Sequence, residues 1–130
     1  MRPAFRGAAR YGDVERLQAL LDSGSDVNAR DRYHQTGLML AAQGGHTEVV
    51  RVLIAAGAPL DHVNNLGWTA LIESIVLGNG GQRHVAVLRA LVDAGANLNL
   101  ADRSGDTPLA LAKKRGYAEM VKILEAAGAR

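Results

Sequence analysis

Cysteine is absent from the 130 residues, and the aromatic side chains are one Trp, three Tyr and one Phe. Without cysteine there is no disulfide framework, no thiolate zinc site and no thiol nucleophile. With so few aromatics, a core has to be built from Leu, Val, Ile and Ala, a composition suited to closely packed helices. Long apolar runs are also missing: nothing approaches the roughly 20 residues that a membrane helix needs, and Met1-Arg2-Pro3 does not lead into a signal-like apolar segment. Nor does one sign of charge dominate. The formal net charge is +2, with acidic residues interspersed among the basic ones, so no nucleic-acid footprint is legible. A chain of this length suits one domain, expected to act as a monomer, with no membrane partner, and cytoplasmic by default or exported if an upstream signal has been removed.

What is present is a repeat. Gly24, Gly57, Gly95 and Gly128 each close a Leu/Val-rich helical stretch, at intervals of 33, 38 and 33 residues. Each interval has the same order: an Asp or Asn turn, a Thr, a short Leu/Ala segment, a break, a longer amphipathic segment, then Gly. Thr36-Gly37-Leu38-Met39-Leu40-Ala41-Ala42 followed by Gly45-His46-Thr47-Glu48-Val49-Val50 matches Thr107-Pro108-Leu109-Ala110-Leu111-Ala112 followed by Gly116-Tyr117-Ala118-Glu119-Met120-Val121. A partial copy begins at Ala8-Ala9-Arg10-Tyr11-Gly12-Asp13.

These motifs resemble the ankyrin repeat over nearly the whole chain. The resemblance implies an all-α solenoid of stacked helix-turn-helix units joined by hairpin-like loops. One domain spans 1–130, in units of approximately 1–30, 31–63, 64–101 and 102–130. Local physics agrees. Thr36, Thr69 and Thr107 stand where a side-chain oxygen caps the first free N–H groups of a helix. Val49, Val50, Leu53 and Ile54 make a buried stripe, with Glu48 and Arg51 outside it. The closing glycines fit the left-handed position after a helix, where a Cβ is penalised. In register, Arg16 replaces Val49 and Val87, Lys113 replaces Ala42 and Ile75, and Glu125 replaces Ile54 and Val92. Charge at these stacking positions is expected of capping units, and four units suffice for a self-sufficient array.

The family's Thr-Pro-Leu-His motif is nowhere intact. Its Pro position holds Gly37, Ala70 and Pro108, and its His position holds Met39, Ile72 and Ala110, which predicts looser loop bases. His34 takes the turn position of Gly67 and Gly105, a residue expected at positive φ in a loop of altered shape. The largest departure is a five-residue insertion within Leu77–His84 of the third unit, expected to lengthen the turn between its helices. The same unit carries Glu73 where the others have Leu40 and Leu111. One reading has Glu73 accept hydrogen bonds from N–H groups of the glycine turn; the other makes Glu73, Asn79, Arg83 and His84 a small polar site.

Catalysis has little foothold. Gly78-Asn79-Gly80-Gly81 lacks the Lys-Ser/Thr of a phosphate-binding loop and has no preceding strand, and is expected to be a flexible inserted turn. The four histidines have no second metal ligand at helical spacing, and His46 and His84 fall at helix starts, as structural caps. Ser23, Ser25, Ser74 and Ser104 stand in no nucleophile elbow. No catalytic residue, metal or cofactor is predicted.

The resemblance places partner contacts on loop tips and on the exposed ends of the first helices, the concave face of such an array. The loop positions are Arg32, Tyr33, Gln35, Asn65, Leu66, Trp68, Arg103, Ser104 and Asp106; the helix positions are Gln43, Val76, Leu77, Lys114 and Arg115. Trp68 with Tyr33, Leu66, Val76 and Leu77 has the composition of an apolar hot spot flanked by Arg32 and Arg103. Trp68 folded over the loop stems is the structural alternative. The resulting expectation is a non-enzymatic module that binds another protein. The competing one is a small-ligand or anion sensor centred on Glu73 and the 78–84 insertion.

Overall fold

The computed structural model describes all residues, 1–130, and contains eight α-helices. They are α1 (Pro3–Tyr11), α2 (Val14–Asp22), α3 (Gly37–Gly44), α4 (Thr47–Ala55), α5 (Ala70–Val76), α6 (Gln82–Asp93), α7 (Pro108–Lys114) and α8 (Ala118–Ala126). The odd-numbered helices pack in sequence against one another, as do the even-numbered ones, and each odd helix packs against the even helix that follows it. The result is two helical layers joined by long loops on one side. No helix is long and apolar enough to cross a membrane.

Every helix here is only two or three turns long and marginal in isolation, so its ends and its buried face have to hold it. Thr36, Thr69 and Thr107 each accept a hydrogen bond through Oγ1 from the N–H three residues on, at 3.3, 3.2 and 3.2 Å. Such a cap stabilises by about 1 kcal/mol. Gly24, Gly57, Gly95 and Gly128 all have φ between +86° and +97°. Val49, Val50 and Leu53 of α4 are buried and Ile54 is partly so, while Glu48 and Arg51 pair on the solvent side at 2.7 Å. The core is one continuous aliphatic cluster running from Phe5 to Leu124. Arg16 is exposed on α2, and Lys113 and Glu125 form an exposed ion pair at 3.7 Å between α7 and α8.

The inserted residues of the third unit are shared between turn and helix. The link from α5 to α6 has five residues, 77–81, against two between α3 and α4, but α6 is also a turn longer, 12 residues against 9 for α4. The turn does not hang free. Asn79 Oδ1 accepts from Gly81 N at 2.9 Å, and Tyr117 covers Gly80, whose φ is +75° and where an added Cβ would lie 2.6 Å from the ring. The expectation of a flexible turn is therefore corrected: the neighbouring unit packs onto it.

Candidate functional site

The three long loops share one construction. Asp31 Oδ1 accepts from the N–H groups of Tyr33 and Gln35, at 2.8 and 3.0 Å. Asn64 Oδ1 accepts from Leu66 and Trp68, at 2.9 and 3.2 Å, and Asp102 Oδ1 from Ser104 and Asp106, at 3.0 and 2.9 Å. The side chain thus replaces a backbone turn partner, a role for which Asp and Asn are suited. His34, at φ +58°, gives the first loop the same bonding as Gly67 and Gly105 give theirs. Two expectations are corrected here. The loop bases are tied despite the missing motif, and the His34 loop is not reshaped.

Burial pushes the Asp31 carboxyl upward, but the N–H groups of Gln35 and Tyr33 and the Arg6 guanidinium at 3.1 Å outweigh it and hold it below its ordinary value. Loop two leans on loop one through Asn65 N to Tyr33 O, 3.1 Å, and Arg103 of loop three lies against Gly67. The loops form a connected surface whose tips are set by the helices beneath.

In that surface Tyr33, Gln35, Gln43, Asn64, Asn65, Leu66, Trp68, Glu73 and Leu77 line a hollow of about 380 Å³. Tyr33, Leu66 and Leu77 are 48%, 58% and 47% exposed, three of the five large apolar side chains that the chain leaves open. Trp68 is half-buried: its indole packs on the core while its backbone closes the second loop on Asn64. Arg32 stacks on Tyr33, 5.0 Å from the ring centre. Val76 packs against the core rather than lining the hollow. Lys114 reaches Asp106 at 2.8 Å, and Ser104 and Arg115 are exposed further along the same side.

Beneath the hollow lies Glu73, 0% exposed. Its Oε1 accepts from Asn64 Nδ2, while Oε2 has no partner. Burial drives its pKa up; the amides of Gln43 and Asn64 draw it back, the charge of Asp31 adds to the rise, and the result is about 7. This corrects the reading that Glu73 serves the glycine turn. Its side chain bonds Asn64, nine residues earlier at the base of the second loop, and no N–H of the insertion reaches it.

The proposed grouping of Glu73 with Asn79, Arg83 and His84 is likewise not assembled. Asn79, Arg83 and His84 line a separate recess with Leu77, and each has a structural partner. Arg83 donates to Gly44 O at 2.9 Å and Gly45 O at 3.4 Å, and His84 Nε2 meets Gln43 O at 2.8 Å. His46 does the same one unit earlier, its Nε2 2.9 Å from Arg10 O. Neither histidine caps its own helix, as the sequence suggested; both tie the start of a second helix to the end of the preceding unit's first helix. Sequence reading missed the Asn64–Glu73 pair, although a signal existed. The only unit with a carboxylate at the Leu40/Leu111 position is also the only one whose loop begins with Asn where Asp31 and Asp102 stand.

Residues 5–102 match the family model described as ankyrin repeats in three copies. An ankyrin repeat domain of known structure from Acinetobacter baumannii AYE superposes with a TM-score of 0.94 at 48% identity, over 97% of this chain and 64% of that one. Among curated proteins, the chain is 38% identical to the ankyrin repeat protein YahD of Escherichia coli (strain K12) over 118 residues, 90% of this chain and 59% of that protein. It is also 38% identical to part of rat (Rattus norvegicus) diacylglycerol kinase zeta, over 91% of this chain but 12% of the enzyme. The chain therefore spans less than two thirds of the relatives it matches, and repeats like these occur inside longer proteins of different activity.

Proposed function

Because the chain belongs to the ankyrin-repeat family, whose repeats are protein–protein interaction modules, we propose that it binds one partner protein on the concave side formed by its loops and first helices, without catalysis. The observation that carries this reading is the concentration of exposed Tyr33, Leu66 and Leu77 around a single hollow beside Trp68. Apolar side chains scattered singly over a surface need no explanation, whereas three sharing one recess favour recognition. Arg32 on the Tyr33 ring and Arg103 against Gly67 add an aromatic and basic pattern common at binding hot spots. Against catalysis stands the chemistry of the recess: Glu73 is bonded to the Asn64 amide, and apart from the Tyr33 phenol the other side chains lining the hollow are amides and apolar groups, which do not form the constellation that acid–base or covalent catalysis uses.

The test is capture from native cell extract with the wild-type chain and with a Trp68→Ala/Tyr33→Ala variant, bound proteins being identified by mass spectrometry. A protein retained by wild type and lost by the variant supports the face. Equal capture by both sinks it.

A further inference from the structure

We propose that the hollow takes an isolated Lys or Arg side chain of the partner, with Glu73 Oε2 as its charge acceptor and the Tyr33 and Trp68 rings against its aliphatic stem. This rests on the binding face argued above and adds its chemistry. The bonding capacity around the hollow is lopsided. Gln35 Oε1 already receives Gln43 Nε2 and Asn64 Nδ2, and Asn64 Oδ1 is taken by two loop N–H groups. Among the buried side-chain atoms the one left without a hydrogen-bond partner is an acceptor, Glu73 Oε2, near the Gln43 amide but not bonded to it.

A buried oxygen left unpaired costs free energy that a donor entering from outside restores, and a charged donor restores more than a neutral one. The second and fourth units bury Leu40 and Leu111 at this register and the first has Gly7, so the carboxylate serves no packing need common to the repeats. Aromatic walls suit a cation as well, and Tyr33 already carries one on its ring, that of Arg32. Oε2 is closed off in the free chain, so reaching it requires the wall to shift, and Leu77, which follows α5 and is 47% exposed, is part of that wall. Arg32 on Tyr33 and Arg103 against Gly67 repel further positive charge nearby. The partner segment therefore presents one basic side chain flanked by acidic or neutral ones, rather than a polybasic run.

Random heptapeptides displayed on phage supply the probe. They are selected on the wild-type chain at about pH 8 and counter-selected against Trp68→Ala/Tyr33→Ala. The expected outcome is enrichment of a single Lys or Arg at a fixed position. Glu73→Gln, isosteric and checked for folding by its helical circular dichroism and Trp68 emission, then binds the same peptides at least about tenfold more weakly. Glu73→Leu, which installs the residue of Leu40 and Leu111, serves as the second variant and loses them equally. Enriched peptides without a cation, or with one that Glu73→Gln binds undiminished, overturn the inference and leave the binding face standing. If no peptide distinguishes wild type from the Trp68/Tyr33 variant, the face itself is wrong and the inference falls with it.

Discussion

Asn64 donates through Nδ2 to Oε1 of Glu73 and through its own Oδ1 holds the N–H groups of Leu66 and Trp68. One amide thus ties the second loop to a buried carboxylate on α5. An aspartate here, as in the other two loops, would keep the turn and set two carboxylates face to face. The departure from Leu at position 73 and the departure from Asp at position 64 are one structural event.

The raised pKa of Glu73 fixes a pH dependence of stability. Its folded value is about 7 and its ordinary value 4.5, so between them the folded state holds more protons than the unfolded one. Stability therefore falls as pH rises from about 4.5 to about 7, by about 3 kcal/mol in all. Asp31, held low by Gln35, Tyr33 and Arg6 against its burial, acts in a different window, losing its contribution only as pH drops below its ordinary 3.8. Urea unfolding at about pH 5 and about pH 8 should show wild type less stable at the higher pH and Glu73→Gln nearly level. A wild type equally stable at both would mean that Glu73 ionises normally.

The pair also predicts a coupling. Asn64→Asp removes the donor from Oε1 and adds a like charge, at a cost of about 1–3 kcal/mol at neutral pH. With Glu73→Leu already in place the same substitution should cost little, because the fourth unit's combination of Asp102 and Leu111 is then reproduced. A double-mutant cycle by equilibrium unfolding measures the difference, which should exceed about 1 kcal/mol. Additive effects would show that the two side chains do not interact.

His34 is the chain's one non-glycine residue at positive φ, +58°. Exchange for Gly, the residue of the other two loops, should raise stability by up to about 1 kcal/mol, since the left-handed backbone is then unstrained. His34→Val should lower it by more, its branched Cβ fitting that conformation worst. His34 O still accepts from His62 in either variant, at 2.8 Å in the wild type, so thermal unfolding compares the backbone effect alone. A destabilised glycine variant would assign the histidine ring a role of its own.

Much of the fold was legible because it rests on local, repeated chemistry. The Thr caps at 36, 69 and 107 and the closing glycines state their backbone conformations residue by residue, and the Val49–Leu53 stripe states which face is buried. The apolar hollow was partly legible too, since Tyr33, Leu66, Trp68 and Leu77 stand at loop and helix positions that recur with the repeat. What escaped was whatever depends on contact between units. His46 and His84 looked like caps because they sit at helix starts, yet their partners are the carbonyls of Arg10 and Gln43, more than 30 residues earlier. Glu73 was grouped with the insertion because the two oddities share a unit. The helix geometry turns its carboxylate instead toward the loop that precedes it, and the recognition chemistry proposed for the hollow follows from that direction.

Arg83 lies on the first turn of the lengthened α6, and its guanidinium meets Gly44 O, Gly45 O and His46 Nδ1, at 2.9, 3.4 and 3.2 Å. The extra turn thus reaches back over the end of α3 and replaces solvent at carbonyls that a helix C-terminus leaves free. Arg83→Met keeps the aliphatic stem and removes those donors. The bond to Gly44 is exposed and water can substitute there, so the loss should be modest, about 1 kcal/mol. Its location is the sharper readout: amide exchange should accelerate first at Gly45, His46 and Thr47, where α3 passes into α4, and least in α1 and α2. Uniform acceleration along the chain would mean that Arg83 supports the array as a whole, and unchanged exchange would mean that the insertion is held by Tyr117 and His84 without it.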